Sequence, residues 1–237
     1  MTATQTLPIA LHTWTTPNGR KIAIMLEELG VPYELHMVNI NRGDQFTPEF
    51  TAISPNNRIP AIVDPEGPGG EPISIFESGA ILKYLAEKYS RFYPDDWRAR
   101  VLVDQWLFWQ VGGVGPMIGQ NHHFTTYAAG KDTYASTRFQ DETHRLYGVL
   151  DTRLREREWV AGDYSIADIA ILPWTENWKR QLIQIDEFPE VKAWRERLHA
   201  RPAVVRGLAA GRDRAAEIKL ESDPAAQAIL FGQRARR

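Results

Sequence analysis

Up to residue 89, the apolar positions follow two rhythms in turn. Residues 7–13 read as a short strand. Residues 20–29 then place Ile22, Ile24, Met25, Leu26 and Leu29 at helical spacing, and Gly30 followed by Pro32 is a stop signal. Residues 33–38 alternate and predict a second strand. A strand, helix, strand crossover implies a parallel pair. Beyond it lie a polar stretch at 39–45, a short helix ending near Ile53, and the turn Ser54-Pro55-Asn56-Asn57. A third strand is expected at 59–64, a hairpin loop at 66–70, a fourth strand at 72–75, and a helix at 78–88 with Ile81, Leu82 and Leu85 on one face. The order β-α-β-α-β-β-α is a compact thioredoxin-like layout.

After Tyr93-Pro94-Asp95-Asp96 the strand signals stop. Helical patterns occupy 97–110, 133–157, 166–179 and 188–201. The expected fold class is therefore α/β plus all-α. A thioredoxin-like domain at 7–89 precedes a helical bundle at 97–215, with a linker near 88–96. Residues 216–237 form a C-terminal extension; the stretch from 204 onward is rich in Ala and Arg and is expected to add a helix and end in a frayed tail.

Composition narrows the function classes. The 237 residues are 43% hydrophobic and 24% charged, as in ordinary globular proteins, and the net charge of -2 gives no reason to expect a nucleic-acid or membrane partner. The absence of cysteine removes disulfides, Cys-based metal sites and any protein thiol nucleophile. No apolar run is long enough to span a bilayer, and the Thr-rich start lacks a signal-peptide pattern, so the cytosol is the expected compartment. His122-His123 has no acidic or Cys partner at ligand spacing, so no metal is expected.

Three segments carry candidate chemistry. Thr15-Thr16-Pro17-Asn18-Gly19 joins the first strand to the first helix. Ligands of α/β sheets bind outside the carboxyl ends of strands, and a hydroxyl or amide there can donate to a thiolate and lower its pKa. These residues are equally turn formers, and alone they read as a capped turn. In Asn57-Arg58-Ile59-Pro60-Ala61, a proline just inside a strand removes a ladder donor. A cis bond before Pro60 would leave the Ile59 backbone open to an extended peptide, whereas a trans bond makes an ordinary edge proline; local sequence leaves both open. In Phe76-Glu77-Ser78-Gly79-Ala80, Ser78 suits an N-cap that holds a carboxylate. Glu77 either opposes the helix dipole or binds an amino group beside that carboxylate. A fourth segment, Tyr164-Ser165-Ile166-Ala167-Asp168-Ile169, reads as a capping box with a hydrophobic staple and hence as structure. Trp106, Phe108 and Trp109 read as core or interface.

Together, the first three segments resemble, in order and spacing, the glutathione-binding half of glutathione transferases. Gln45-Phe46-Thr47-Pro48-Glu49-Phe50, residues 53–64, residues 105–113 and Gly119-Gln120-Asn121-His122-His123-Phe124 are similar to the Nu class, which is close to the transferase domain of the fungal nitrogen-regulating prion protein. The resemblance covers roughly residues 9–205. It implies that Thr16 and Asn18 face the glutathione sulfur, and that Ile59 pairs with the cysteinyl backbone beside a cis Pro60. It further implies that Glu77 and Ser78 hold the γ-glutamyl group, and that Gln45 and Arg58 reach the glycyl end. Arg58 stands where relatives often carry Lys, keeping the charge with different hydrogen-bond geometry. Gln120 and Asn121, within the matching segment, are carried over as substrate-binding. Arg138 would reach the neighbouring subunit of a homodimer, and Trp174 and Trp178, with the paired histidines, would line the acceptor pocket.

The resemblance implies a glutathione-dependent disulfide-bond oxidoreductase with glutathione as co-substrate, no tightly bound cofactor, and a small disulfide or electrophile as the second substrate. Weaker peroxidase or conjugating activity accompanies that expectation. Its rivals are a conjugating transferase acting on electrophiles and a non-catalytic glutathione-binding regulator. The long Asn-rich extension of the fungal relative has no counterpart before the first strand, which counts against the regulator.

Overall fold

A computed structural model describes residues 7–215 and 223–233. The extreme N-terminal residues, part of the expected C-terminal extension and the terminal arginines lie outside the described residues. The first half runs β1 (Ile9–Thr13), α1 (Pro17–Leu29), β2 (Tyr33–Met37), α2 (Pro48–Ile53), β3 (Ala61–Asp64), β4 (Ile73–Phe76) and α3 (Ser78–Tyr89). The strands form one sheet in the order β2-β1-β3-β4. β1 and β2 are parallel, with Ile9 opposite Tyr33. β3 lies antiparallel to both β1 and β4. This is the thioredoxin-like arrangement that the hydrophobic rhythm predicts.

Element ends differ from expectation for local reasons. α1 begins at Pro17 rather than residue 20, because Pro fits the first helical position and Thr16 caps it. β3 starts at Ala61, so Ile59 stands outside the ladder.

The second half is α4 (Trp97–Trp109), α5 (Gly115–His122), α6 (Thr133–Leu154), α7 (Ile166–Thr175), α8 (Pro189–His199), α9 (Pro202–Ala209) and α10 (Pro224–Phe231). The expected helix at 133–157 ends at Leu154, and Glu156 adopts a left-handed φ of 60°. The expected helix at 166–179 ends at Thr175, two residues beyond the internal Pro173. The helix expected at 188–201 is α8, which ends at His199, and Pro202 opens the separate α9 because a proline suits a first helical turn and restrains the residue before it. α5 has no counterpart in the hydrophobic pattern. It is flanked by π-helical turns at Gln110–Val114 and His123–Tyr127, and its glycines and proline hide the periodicity.

α1 packs against α3, α7 and α9, so the two halves share one core. Ile22, Met25 and Leu26 of α1 are sealed from solvent, as are Ile169 and Leu172 of α7. Burying each such side chain contributes roughly 1.5–3 kcal/mol. α9 lies so close to α1 that any side chain at Gly207 would overlap the Ile24 backbone. The capping box at the start of α7 is present. Among the described residues, no helix is long and apolar enough to cross a membrane.

Candidate active site

The site begins where β1 ends. The chain leaves Thr13, turns through Trp14 and Thr15, and enters α1. Thr16 is the N-cap, and its Oγ1 accepts from the Gly19 N–H at 3.3 Å. That bond uses an acceptor lone pair and leaves the Thr16 O–H as a donor. Position 19 needs glycine, because a Cβ there would overlap the Trp14 carbonyl and the Thr13 hydroxyl. The amide of Asn18 is fixed from the other half of the molecule. Trp174 Nε1, on α7, donates to Asn18 Oδ1 at 3.1 Å. An indole N–H can only donate, so the oxygen of Asn18 must face it and the NH2 group remains for a ligand.

Across the cavity, the Ile59-Pro60 peptide bond is cis. Neither the N–H nor the C=O of Ile59 is hydrogen-bonded among the described residues. Glu77 closes β4 with a φ of 70°, a left-handed value for a non-glycine residue, and occupies the N-cap of α3 without a side-chain cap bond. Such strain costs on the order of 1–3 kcal/mol and gathers at ligand clamps. Ser78 is therefore the first helical residue rather than the expected N-cap.

Ser78 Oγ accepts from Lys21 Nζ at 3.1 Å, and Lys21 also donates to Gln110 Oε1 at 2.5 Å. Lys21 is 1% exposed. Burial pulls its pKa down to about 7, and the nearby Glu77 carboxylate only partly opposes this. Sequence reasoning missed Lys21. Its signal was a charge on the face of α1 that also carries Met25 and Glu28, both buried.

Thr16, Asn18, Gln45, Arg58, Ile59 and Trp174 converge on one cavity of about 240 Å³. A second of about 150 Å³ joins it through Asn18, Arg58 and Ile59 and carries Glu77 and Ser78. A larger hollow, about 900 Å³, lies beyond Arg58 and contains neither Thr16 nor Asn18. The smaller pair, which holds Thr16 and Asn18, is therefore the candidate site. Gln45 is buried, with its Nε2 donating to the Ile40 carbonyl at 3.2 Å. Arg58 donates to Gln233 Oε1 at 2.7 Å.

Other expected residues lie elsewhere. Asn121 is fully buried and donates to the Gln181 carbonyl at 2.9 Å, holding α5 to the turns after α7. Gln120 is exposed on α5 and lines neither small cavity. Arg138 is exposed on α6, away from both. Trp178 packs against the core beside Lys179. His123 does not line the cavity either, but stacks edge-on against Phe231, which does. Among the described residues, no cluster of His or acidic side chains is arranged for a metal.

Donors at the head of α1, an open backbone edge at Ile59 and a polar pocket at the head of α3 meet on a thioredoxin-like scaffold, an arrangement that could accept a peptide-like ligand. Residues 15–88 match the N-terminal domain model of glutathione S-transferases, and residues 121–202 match the C-terminal domain model. The chain belongs to the glutathione S-transferase family. It is 54% identical over 202 residues to the disulfide-bond oxidoreductase YfcG of Escherichia coli K12, a match covering 84% of this chain and 94% of that one. Among solved structures, it is similar to a Pseudomonas fluorescens family member with two glutathiones bound, at 49% identity and a TM-score of 0.81, covering 84% and 92% of the two chains. A Pseudomonas putida glutathione transferase with one glutathione disulfide per subunit gives 47% identity and a TM-score of 0.81, covering 87% and 93%.

Proposed function

We propose that this protein is a glutathione-dependent disulfide-bond oxidoreductase whose only reactive sulfurs belong to its ligands. One observation carries the reading: Thr16 and Asn18 each use one side-chain function within the fold and keep one donor for the cavity they share. Two such donors stabilise a thiolate over a thiol. Lowering a thiol pKa from about 8.5 to about 7 raises the thiolate fraction at pH 7 from roughly 3% to roughly half. Ile59 pairs with the cysteinyl backbone, Glu77 takes the γ-glutamyl ammonium, Ser78 takes its carboxylate, and Gln45 and Arg58 receive the glycyl end.

The chemistry is two exchanges. Glutathione thiolate attacks one sulfur of the substrate disulfide, forming a mixed disulfide and expelling the other sulfur as a thiolate, which takes up a proton. A second glutathione thiolate attacks the glutathione sulfur of the mixed disulfide and releases the remaining substrate thiol. Two glutathiones and one disulfide become glutathione disulfide and two thiols, a two-electron transfer. The protein contributes thiolate stabilisation and alignment of sulfurs. The exposed Arg138 on α6 suits a reach toward a second copy, and we take the working state to be a homodimer in the cytosol.

Turnover of 2-hydroxyethyl disulfide with glutathione tests the reading. We expect it to exceed conjugation of chlorodinitrobenzene and to fall by about 100-fold or more when Thr16 and Asn18 are both changed to Ala. Absence of disulfide turnover beside strong conjugation would replace the reading with that of a conjugating transferase. Glutathione binding without either reaction would replace it with a regulatory role.

A further inference from the structure

The pocket that holds Glu77 and Ser78 has a buried amine behind it. Lys21 projects from α1 into the seam between the two halves of the molecule, where it is sealed from solvent. Its partners come one from each half: Ser78 at the head of α3, and Gln110 in the π-helical turn after α4. Gln110 is itself fully buried and gives its oxygen to the amine, while its Nε2 has no partner. That orientation forgoes about 1–3 kcal/mol of amide bonding, and it aims an acceptor at Lys21, which favours the charged form. Burial pulls the other way. With the pKa at about 7, both forms of Lys21 are populated in neutral solution.

The other charges packed around α1 are engaged elsewhere. On α1 itself, Glu27 and Glu28 hold Arg206 and Arg201, and Arg20 feels Arg212 and Glu176. On α7, Asp168 is bound to Val160 and Trp194, and Glu176 just beyond meets Arg195 and His199. On α3, Lys83 and Lys88 pair with Asp104 and Asp64. On β1, His12 stacks on His36. Among the described residues, Glu77 is the charge that acts on Lys21.

We propose that Lys21 is a positioning residue for the γ-glutamyl group: when charged it turns the Ser78 hydroxyl proton toward the ligand carboxylate, and that carboxylate holds the proton on Lys21, so binding takes up a proton. The inference rests on the glutathione site described above. An ammonium can only donate, so the Ser78 oxygen accepts from a charged Lys21 and its hydroxyl proton is directed to another acceptor. Ser78 lines the cavity, and a carboxylate placed there is that acceptor. A neutral amine carries a lone pair, which draws the Ser78 proton inward and leaves the carboxylate without its donor. An anion in the cavity also favours the charged amine directly.

The test is titration calorimetry with S-methylglutathione, which has no thiol to ionise. Runs at pH 7.5 in phosphate and in Tris, buffers of different ionisation enthalpy, count the protons exchanged. We expect the native chain to take up roughly half a proton or more per ligand. Its affinity should be flat below pH 7 and fall roughly fivefold from pH 7 to pH 8.5, because the bound form holds the proton more tightly. In Lys21→Met the uptake should vanish and the pH profile flatten. Lys21→Gln should do the same, and it replaces the methionine variant if that chain does not fold. A purely structural role for Lys21 would change affinity without changing the proton count. An enthalpy independent of buffer in the native chain overturns the proposal, as does an uptake that survives in either variant. Failure of S-methylglutathione to bind the native chain overturns the reading of the site itself, and the inference with it.

Discussion

At the residue scale, the site works by giving each key side chain two partners. Thr16 caps α1 through an acceptor lone pair, and on the proposed reading its hydroxyl proton is left for the ligand. Asn18 gives its oxygen to Trp174 and keeps its NH2. Trp174→Phe preserves the ring but frees the Asn18 amide to rotate. Steady-state kinetics should then show kcat for 2-hydroxyethyl disulfide falling about tenfold with little change in KM for glutathione, the signature of an interaction that matters in the transition state. Lys21 makes a separate prediction. Its pKa is about 7 in the folded chain against 10.5 for an ordinary lysine. Between those values the unfolded chain binds the extra proton, so stability rises as pH climbs from about 7 to about 10.5 and this contribution is flat below 7. The rise is on the order of a few kcal/mol. Urea midpoints at pH 7 and pH 9.5 should separate in the native protein and draw together in Lys21→Met. The turn from Thr15 to Gly19 was legible as a candidate because it sits between a strand and a helix, but alone it read as a capped turn. The expectation that Thr16 and Asn18 face a sulfur came from the resemblance to glutathione transferases. Lys21 was not legible, because a helical pattern reports which face is apolar and a buried amine looks like an error in it. Asn121 was expected at the ligand because it lies in a segment shared with relatives, where likeness marks packing as readily as binding, and the structure buries it against the Gln181 carbonyl.

At the element scale, strands and the longer helices followed from spacing, while their ends followed from caps and prolines. The π-helical turns around α5 could not be read. Their extra residue per turn breaks the periodicity, and Gly112, Gly113 and Gly115 leave few side chains to carry one. The start of α7 was readable because a capping box is a local formula. Asp168 does more than close that box. Its Oδ1 accepts from the Val160 N–H at 3.0 Å and from Trp194 Nε1 at 2.9 Å, and its Oδ2 accepts from the Ser165 N–H at 3.1 Å. Asp168→Asn replaces one of these oxygens with a donor facing donors. We expect a loss of about 2–4 kcal/mol, measured as a lower midpoint in chemical denaturation, with glutathione affinity preserved in the molecules that remain folded.

At the scale of the whole molecule, the helical half completes the site as well as covering it. Trp174 orients Asn18, and Gln110 receives Lys21 behind Ser78. Arg201 clasps Glu28 with bonds of 2.6 and 2.9 Å, tying the approach to α9 onto α1. None of these contacts is visible in sequence, since each joins residues separated by 89 positions or more and no local rhythm records them. The central claim also belongs to this scale, because the whole chain contains no cysteine and any thiolate in the complex is the ligand's. The most direct measurement is a pH titration of thiolate absorbance near 240 nm with glutathione bound. The account predicts a bound thiol titrating at least one unit below the roughly 8.5 of a free thiol, and returning toward that value when Thr16 and Asn18 are both Ala. A bound thiol that titrates like free glutathione in the native protein would contradict it.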